Sequence, residues 1–228
     1  MAEEARIRTA YSRRKDVGLY SWYNPGQLLN IHERERRLLA LLRDYGCEDL
    51  KSKKLLEIGC GNGHWLREFI KWGAQPKNVT GIDLLDDRVA EAKQLCPSEV
   101  KIERGSAAKL EFCNEDFDLI LQSMVFTSVL DPSLKQQIAS EMIRVVKPEG
   151  LILWYDYHVN NPWNSDVRGV KRREINRLFP SCRIELWRIT LAPPLARWIA
   201  PRSWLLACLL EKIPLLCTHY LGVIRKSK

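Results

Sequence analysis

The sequence has no long hydrophobic run, no internal repeat and no low-complexity tract. No window approaches the roughly 18 uninterrupted apolar residues of a transmembrane helix. The N-terminal stretch MAEEARIRTAYSRRKD has no apolar core of the kind found in signal peptides. These absences argue against repeat and fibrous architectures and predict a chain that does not span a membrane.

Motifs for metal binding and for disulfide frameworks are also missing. The seven cysteines are an odd number and form no C-x-x-C pair, and only four histidines are present. Structural zinc sites and disulfide frameworks need closely spaced cysteines or an even number of them. The sequence therefore predicts no metal site and a cytoplasmic location, with peripheral contact to the inner face of the membrane left open.

Charge is unevenly distributed along the 228 residues, whose net charge is +8. Residues 161–228 carry 13 Lys and Arg against 4 Asp and Glu, whereas residues 55–160 carry 11 against 16. A basic C-terminal third attracts nucleic acid, anionic lipid or a phosphorylated substrate, and it also suits an ordinary solvated surface. Charge alone does not choose between these partners.

Short apolar strands alternate with helical patterns from Lys54 onward. Seven such strands in this alternation predict an α/β fold with a doubly wound, mostly parallel sheet. The length favours a single domain over residues 1–228. We expect two helical additions to it: an N-terminal lid or extension over 1–50, and an insertion over 193–217 before the last strand.

The segment LLEIGCGNGHWL has glycines at positions 59, 61 and 63, directly after the first strand. A tight turn from strand to helix that also admits a ligand needs residues without Cβ. Asp83 ends the second strand and suits the ribose hydroxyls of a dinucleotide or of S-adenosylmethionine. Glu57 opposes a pyrophosphate and favours a cofactor that carries an ammonium group.

With these motifs the sequence resembles the class I S-adenosylmethionine-dependent methyltransferases, of the type 11-like kind. The resemblance covers about Leu55 to Tyr157 and rests on five ordered segments: LLEIGCGNGHW, GIDLLDDRVAEAK, GSAAKLEF, DFDLILQSMVF and RVVKPEGLILWYDY. It implies a Rossmann-like fold with an antiparallel last strand and S-adenosylmethionine as the cofactor.

The resemblance also implies which residues hold the cofactor. Asp83 binds the ribose hydroxyls, and Leu84 packs on the adenine. Ser106 stands where the family usually has an acid, so a hydroxyl or the backbone is expected to bind the adenine amino group. The full set of cofactor residues expected is Glu57, Gly59, Gly61, Gly63, Asp83, Leu84, Ser106, Ala107 and Gln122.

Methyl transfer from a sulfonium requires an in-line nucleophile, and a general base helps when the acceptor atom is oxygen. His158 follows the fifth strand and is the first candidate base. His64 follows the glycine loop and is a candidate for shaping the pocket. Tyr20 precedes the N-terminal helix, in a segment that often closes over the cofactor in related methyltransferases.

The leading hypothesis is an O-methyltransferase acting on a small or lipid-linked acceptor, such as a glycan or a metabolite precursor. The insertion over 193–217 mixes Trp and Leu with Arg and Lys, as would an acceptor lid, a homodimer interface or a contact with an anionic membrane. The fourth strand ends in QSMV. Many related enzymes that methylate exocyclic amines of nucleic-acid bases or glutamine have N-P-P-Y or D-P-P-Y there, so nucleic acid is not the favoured partner. An RNA methyltransferase and a non-catalytic cofactor-binding partner subunit remain the alternatives.

Overall fold

The computed structural model describes residues 2–13, 18, 21–162 and 164–227. Its seven strands are β1 Leu55–Ile58, β2 Val79–Asp83, β3 Lys101–Arg104, β4 Phe117–Ser123, β5 Val146–Tyr157, β6 Cys182–Leu191 and β7 Cys217–Lys226. They form one sheet in the order β3-β2-β1-β4-β5-β7-β6, in which β7 runs opposite to the other six strands. The predicted fold, including the antiparallel last strand, is confirmed.

The helices lie on both faces of this sheet and beyond its carboxyl edge. They are α1 Ala2–Ser12, α2 Pro25–Asp44, α3 His64–Lys71, α4 Asp86–Leu95, α5 Pro132–Val145, α6 Arg172–Leu178, α7 Pro193–Ile199 and α8 Trp204–Leu210, with short 3-10 turns at Pro76–Asn78 and Pro214–Leu216. Within the described ranges, none of the helices has the length and apolarity that crossing a membrane requires.

The central strands β1 and β2 are buried at every position. Strands covered on both faces are rich in apolar residues, and the apolar residues of LLEI and VTGID predict such strands. Ile58 pairs with Ile82 on one side and with Gln122 on the other. The segments that follow β1, β2 and β4 therefore leave the sheet at one common edge, where ligands bind in this class of fold.

Helix α2 begins where its capping residues predict. The Asn24 side-chain oxygen accepts hydrogen bonds from the backbone N–H groups of Gly26 (3.1 Å) and Gln27 (3.3 Å), and Pro25 occupies the first turn. A Cβ on Gly26 would lie 2.5 Å from the backbone nitrogen of Arg197. The absence of a side chain there lets α7 pack directly on the first turn of α2.

Helices α7 and α8 stand at the same edge of the sheet as the glycine loop. Strand β6 is antiparallel to β7, and β7 is antiparallel to β5. Strand β6 therefore runs in the same direction as the five strands β1, β2, β3, β4 and β5. The chain leaves β6 at Leu191 and enters α7 two residues later. The expected insertion is thus built of two short helices and a 3-10 turn, placed beyond the carboxyl ends of the strands.

A buried carboxyl group connects α2 to this insertion. Glu33 is 1% exposed, and one of its oxygens accepts a hydrogen bond from the backbone N–H of Thr190 at 2.8 Å. Burial, and then the neighbouring carboxyl group of Glu211, raises the pKa of Glu33 to about 7. Glu211 is itself buried and accepts a hydrogen bond from Arg36 at 2.8 Å.

We expect the stability contributed by protonated Glu33 to be lost as the pH rises from about 4.5 to about 7. The sign follows because the folded chain holds the proton more tightly than the unfolded chain, whose glutamate titrates near 4.5. The Glu33→Gln variant stays neutral at this position. Between about pH 5 and pH 8, its melting temperature should therefore fall by a few degrees less than that of the wild type. The control Glu35→Gln on the same helix should follow the wild type, and parallel curves for all three proteins would contradict the assignment.

Candidate functional site

A cavity of about 440 Å³ opens at the carboxyl edge of β1, β2 and β4. Its walls come from the glycine loop, from the segments that follow β2, β3 and β4, and from α1, α3 and α5. Apolar side chains form much of the wall beneath α1 and beside α5: Ile7, Tyr11, Val125, Val129, Leu134 and Ile138. This enclosure is large enough for a nucleoside-sized ligand.

The glycine loop has the backbone conformation that its spacing predicts. Gly59, Gly61 and Gly63 have φ values of +67°, +54° and +76°, which residues with a Cβ rarely adopt. A Cβ on Gly59 would also lie 2.5 Å from Cγ2 of Val125. At Gly61, which lines the cavity, no described atom comes within 4 Å of the Cβ position, so a ligand can touch the backbone there.

Asp83 fixes this loop from the end of β2. One carboxylate oxygen accepts a hydrogen bond from the backbone N–H of Gly61 at 2.8 Å, and the other accepts one from Leu85 at 2.9 Å. The side chain is 9% exposed and lines the cavity. Burial raises the pKa of Asp83, while the two backbone hydrogen bonds act in the opposite direction.

Glu57 gives the cavity a second, less satisfied carboxyl group. It is 3% exposed, and its Oε2 has no hydrogen-bond partner among the described residues. Burial, and then the charge of Asp83, raises the pKa of Glu57 well above its ordinary value. A cationic ligand would stabilise the ionised form and satisfy the free oxygen. The donor set therefore fits S-adenosylmethionine, which carries an ammonium group and a ribose diol.

The expected cofactor residues mostly meet in this one cavity. Its lining includes Glu57, Gly59, Gly61, Asp83, Leu84, Ser106 and Ala107. Gly63 packs instead against α4, where a Cβ would lie 2.6 Å from the sulfur of Cys96. Gln122 is fully buried outside the lining, with Nε2 donating to the Tyr155 carbonyl (3.4 Å) and Oε1 accepting from the Val125 N–H (3.3 Å). Ser123, the next residue, reaches the cavity in its place.

Helix α1 contributes residues to the cavity that the sequence did not predict. Glu3 accepts a hydrogen bond from the Leu130 N–H (2.5 Å), and Arg6 donates one to the Ser128 carbonyl (2.6 Å). These bonds hold α1 across the cavity and bring Ile7 and Tyr11 into its wall. Only two side chains of this short polar helix are buried, so its sequence has little helical periodicity. The ion pair of Glu3 and Arg6, three residues apart, was the available signal.

Of the three candidate catalytic residues, the structure brings His64 into the cavity. His64 begins α3, and its Nε2 is buried without a hydrogen-bond partner in the described part of the chain. Burial lowers the pKa of His64 to about 4, so the ring is neutral at physiological pH. The ring of Trp22 lies 5.9 Å away, and Trp65 donates a hydrogen bond to Ser123 Oγ at 3.3 Å.

His158 is not found there. His158 lines a second cavity, its Nε2 lies 3.0 Å from the Cys217 carbonyl, and burial lowers its pKa. Tyr20 falls outside the described residues, and nearby Tyr23 is 97% exposed. No group of three or more His, Cys, Asp and Glu side chains suited to a metal ion occurs in the ranges that the structure covers.

Comparison with known proteins decides the family. A family model described as a methyltransferase domain matches residues 55–150, the stretch that contains the glycine loop, Asp83 and Ser123. Residues 55–150 thus form a methyltransferase domain, of the class I S-adenosylmethionine-dependent type that the glycine loop and Asp83 indicate. S-adenosylmethionine is therefore the cofactor of this methyltransferase domain, in agreement with the cavity and with the prediction from the sequence.

The relatives in sequence include methyltransferases named for lipids. The chain is 28% identical over 134 residues to phthiotriol/phenolphthiotriol dimycocerosates methyltransferase 1 of Mycobacterium ulcerans, covering 57% of this chain and 48% of that protein. It is 29% identical over 169 residues to a sterol 24-C-methyltransferase of Gibberella zeae, covering 70% of this chain and 43% of the relative. The chain thus spans about half the length of the curated relatives it matches.

Similar solved structures agree on the fold. Geranyl diphosphate C-methyltransferase from Streptomyces coelicolor, in complex with Mg²⁺, geranyl diphosphate and S-adenosyl-L-homocysteine, has a TM-score of 0.67. The match covers 98% of this chain and 97% of that one at 13% identity. At this identity the likeness concerns the arrangement of helices and strands.

The Asp83→Asn variant should bind S-adenosylhomocysteine about 10- to 100-fold more weakly than the wild type. The substitution removes the negative charge that accepts hydrogen bonds from the ribose hydroxyls and from the loop N–H groups. A hydrogen bond to a charged group contributes about 1.5–3 kcal/mol, which corresponds to a change in affinity of this size. Isothermal calorimetry measures the change. Asp87→Asn on the exposed start of α4 is the matched control, and equal affinities for the two variants would contradict the role of Asp83.

Cofactor binding should also release protons. Burial raises the pKa of Glu57 and a bound cation lowers it again, so binding favours loss of the Glu57 proton and affinity should increase as the pH rises through the titration of this group. Calorimetry in two buffers of different ionisation enthalpy counts the protons released. Glu57→Gln should abolish the buffer dependence, and a wild type without such a dependence would refute the coupling.

Proposed function

We propose that this chain transfers a methyl group to an oxygen atom of an apolar, lipid-like acceptor. The observation that carries the proposal is the shared enclosure, in which Asp83, Glu57, His64 and an apolar wall line one cavity. The names of the relatives in sequence support a lipid-like acceptor. The bound cofactor supplies an electrophilic methyl group on sulfur, so the chain has to orient a nucleophile and remove its proton.

His64 is the general base in this proposal. Its neutral ring presents an unpartnered Nε2 to the interior, where it can accept the proton of an acceptor hydroxyl. His64 would take that proton on Nε2 while the acceptor oxygen receives the methyl group that the bound cofactor would supply.

Arg34 supplies a second unsatisfied polar atom beside His64. Its guanidinium lies 5.5 Å from the ring centre of Trp65 and 5.0 Å from that of Tyr155, and its Nε is buried without a hydrogen-bond partner in the described ranges. Buried polar atoms without partners cost about 1–3 kcal/mol each. A polar group near the reacting oxygen of the acceptor would satisfy Nε2 of His64, so we expect an amphipathic acceptor and not a pure hydrocarbon.

The main alternative, methylation of RNA, has less support from the geometry. Arg88 is the one Lys or Arg in the lining of the cofactor cavity as described, whereas the clustered cations of residues 171–173 line a different cavity. An RNA acceptor needs a cationic path for its phosphates that leads to the reacting base. The apolar wall beneath α1 favours a lipid-like molecule over such a path.

The test is turnover of an acceptor panel of long-chain alcohols, hydroxy fatty acids and phenols, with S-adenosylhomocysteine formation as the readout. His64→Gln should lower kcat by about 100-fold or more, with the affinity for S-adenosylhomocysteine within about threefold of wild type. At saturating cofactor, the kcat of the wild type should be independent of pH above about pH 5, because His64 is already neutral there.

His32→Gln on α2 is the matched control and should retain wild-type turnover. Cofactor binding without turnover on any acceptor would favour the non-catalytic partner subunit. Methylation of transfer RNA, or a product in which mass spectrometry locates the new methyl group on carbon, would overturn the acceptor assignment. An unchanged kcat in His64→Gln would remove His64 as the base.

A further inference from the structure

A second cavity of about 880 Å³ lies beside the insertion and is strongly basic. Four cationic side chains line it, and no Asp or Glu is among its described lining residues. These cations are Lys171, Arg172, Arg173 and Arg188, and all four are exposed. None of them forms an ion pair in the part of the chain that the structure describes.

The apolar surface next to this cavity is unusually large. Eight of the 14 exposed large hydrophobic side chains of the described chain lie within residues 193–216. We call these eight the apolar patch: Leu195, Trp198, Trp204, Leu205, Leu206, Leu209, Ile213 and Leu215. Leu205 and Leu215 are exposed by 72% and 82%. A soluble surface rarely leaves so many large apolar side chains in one short segment without a partner.

The basic cavity and the apolar patch are one continuous surface. Leu195 and Leu215 belong to the patch and also line the cavity. Three further cations, Arg197, Arg202 and Lys212, lie within the same segment. Its one acidic residue, Glu211, is buried and bonded to Arg36.

We propose that this surface docks on an anionic lipid bilayer, with the apolar patch entering the headgroup region and the basic cavity facing lipid phosphates. Transfer of exposed Leu and Trp side chains from water into the bilayer interface lowers the free energy. Each Lys or Arg near an anionic membrane adds electrostatic attraction. The pairing of the two features on one face matches the chemistry of such a membrane surface.

The same observations disfavour the other occupants. In a symmetric homodimer this face would meet itself, which would place its cations against each other without carboxylates between them. RNA would satisfy the cations and could stack on Trp198 and Trp204, but it would leave the exposed aliphatic side chains in water.

The docking surface stands close to the cofactor cavity. Helix α7 contacts α2 at Gly26, four residues after Trp22, whose ring faces His64. Both features lie at the carboxyl edge of the sheet. A bilayer bound there would lie at the same edge of the sheet as the cofactor cavity, and the docking itself does not depend on the proposed reaction.

Flotation with vesicles tests the proposal on the full chain. We expect binding to phosphatidylcholine vesicles that contain phosphatidylglycerol, at least about tenfold stronger than to phosphatidylcholine alone and weaker at high salt. Lys171→Gln/Arg188→Gln should weaken binding by about fivefold for each charge removed. Leu205→Ser/Leu209→Ser should reduce binding to both kinds of vesicle, since both positions are exposed and insertion is lost.

The matched control is Lys93→Gln/Leu95→Ser, which removes one exposed cation and one exposed leucine from α4 and should bind vesicles like the wild type. Circular dichroism melting checks that every variant folds. Equal binding to neutral and anionic vesicles, or variants indistinguishable from the control, would overturn the proposal. Competition by millimolar inorganic phosphate, or displacement of vesicles by transfer RNA, would also overturn it. So would a wild type that forms a dimer and does not bind vesicles, if the dimer dissociates in the leucine variant.

Discussion

The burial of Glu57 beside Asp83 constrains what the carboxyl edge of the sheet can bind. Asp83 uses both oxygens on backbone N–H groups and so sets the shape of the glycine loop. Glu57 keeps one oxygen unsatisfied inside the protein, where a carboxylate is costly without a counter-charge. A ligand with a positive charge would compensate the buried charge of Glu57, and its diol could donate hydrogen bonds to Asp83. A pyrophosphate would instead add negative charge beside these two carboxyl groups. The cofactor preference thus originates in the electrostatics of two side chains.

Much of the fold could be predicted because its signals are local. Buried parallel strands appear as short apolar runs, and Asn24 with Pro25 marks the start of α2. The glycine spacing also predicted a conformation that the φ values of Gly59, Gly61 and Gly63 confirm. These features depend on a few neighbouring residues, so the sequence alone is sufficient to recognise them.

The features that could not be predicted depend on contacts between distant segments. Gln122 and Ser123 are adjacent at the end of β4, and only the bonds of Gln122 to Tyr155 and Val125 decide which one reaches the cavity. His158 follows β5 as expected, yet its bond to Cys217 turns it toward the basic cavity. Helix α1 joins the site through hydrogen bonds to the segment after β4, more than 100 residues away. The fold likewise places basic residues of the C-terminal third around a second cavity, apart from the acidic side chains of the cofactor cavity.

A crystal structure of the chain with S-adenosylhomocysteine tests the central claim most directly. We expect the ligand in the 440 Å³ cavity, with its ribose hydroxyls on Asp83 and its amino group facing the free oxygen of Glu57. The sulfur should point toward His64. A ligand bound elsewhere, or bound in this cavity with Glu57 and Asp83 unengaged, would contradict it.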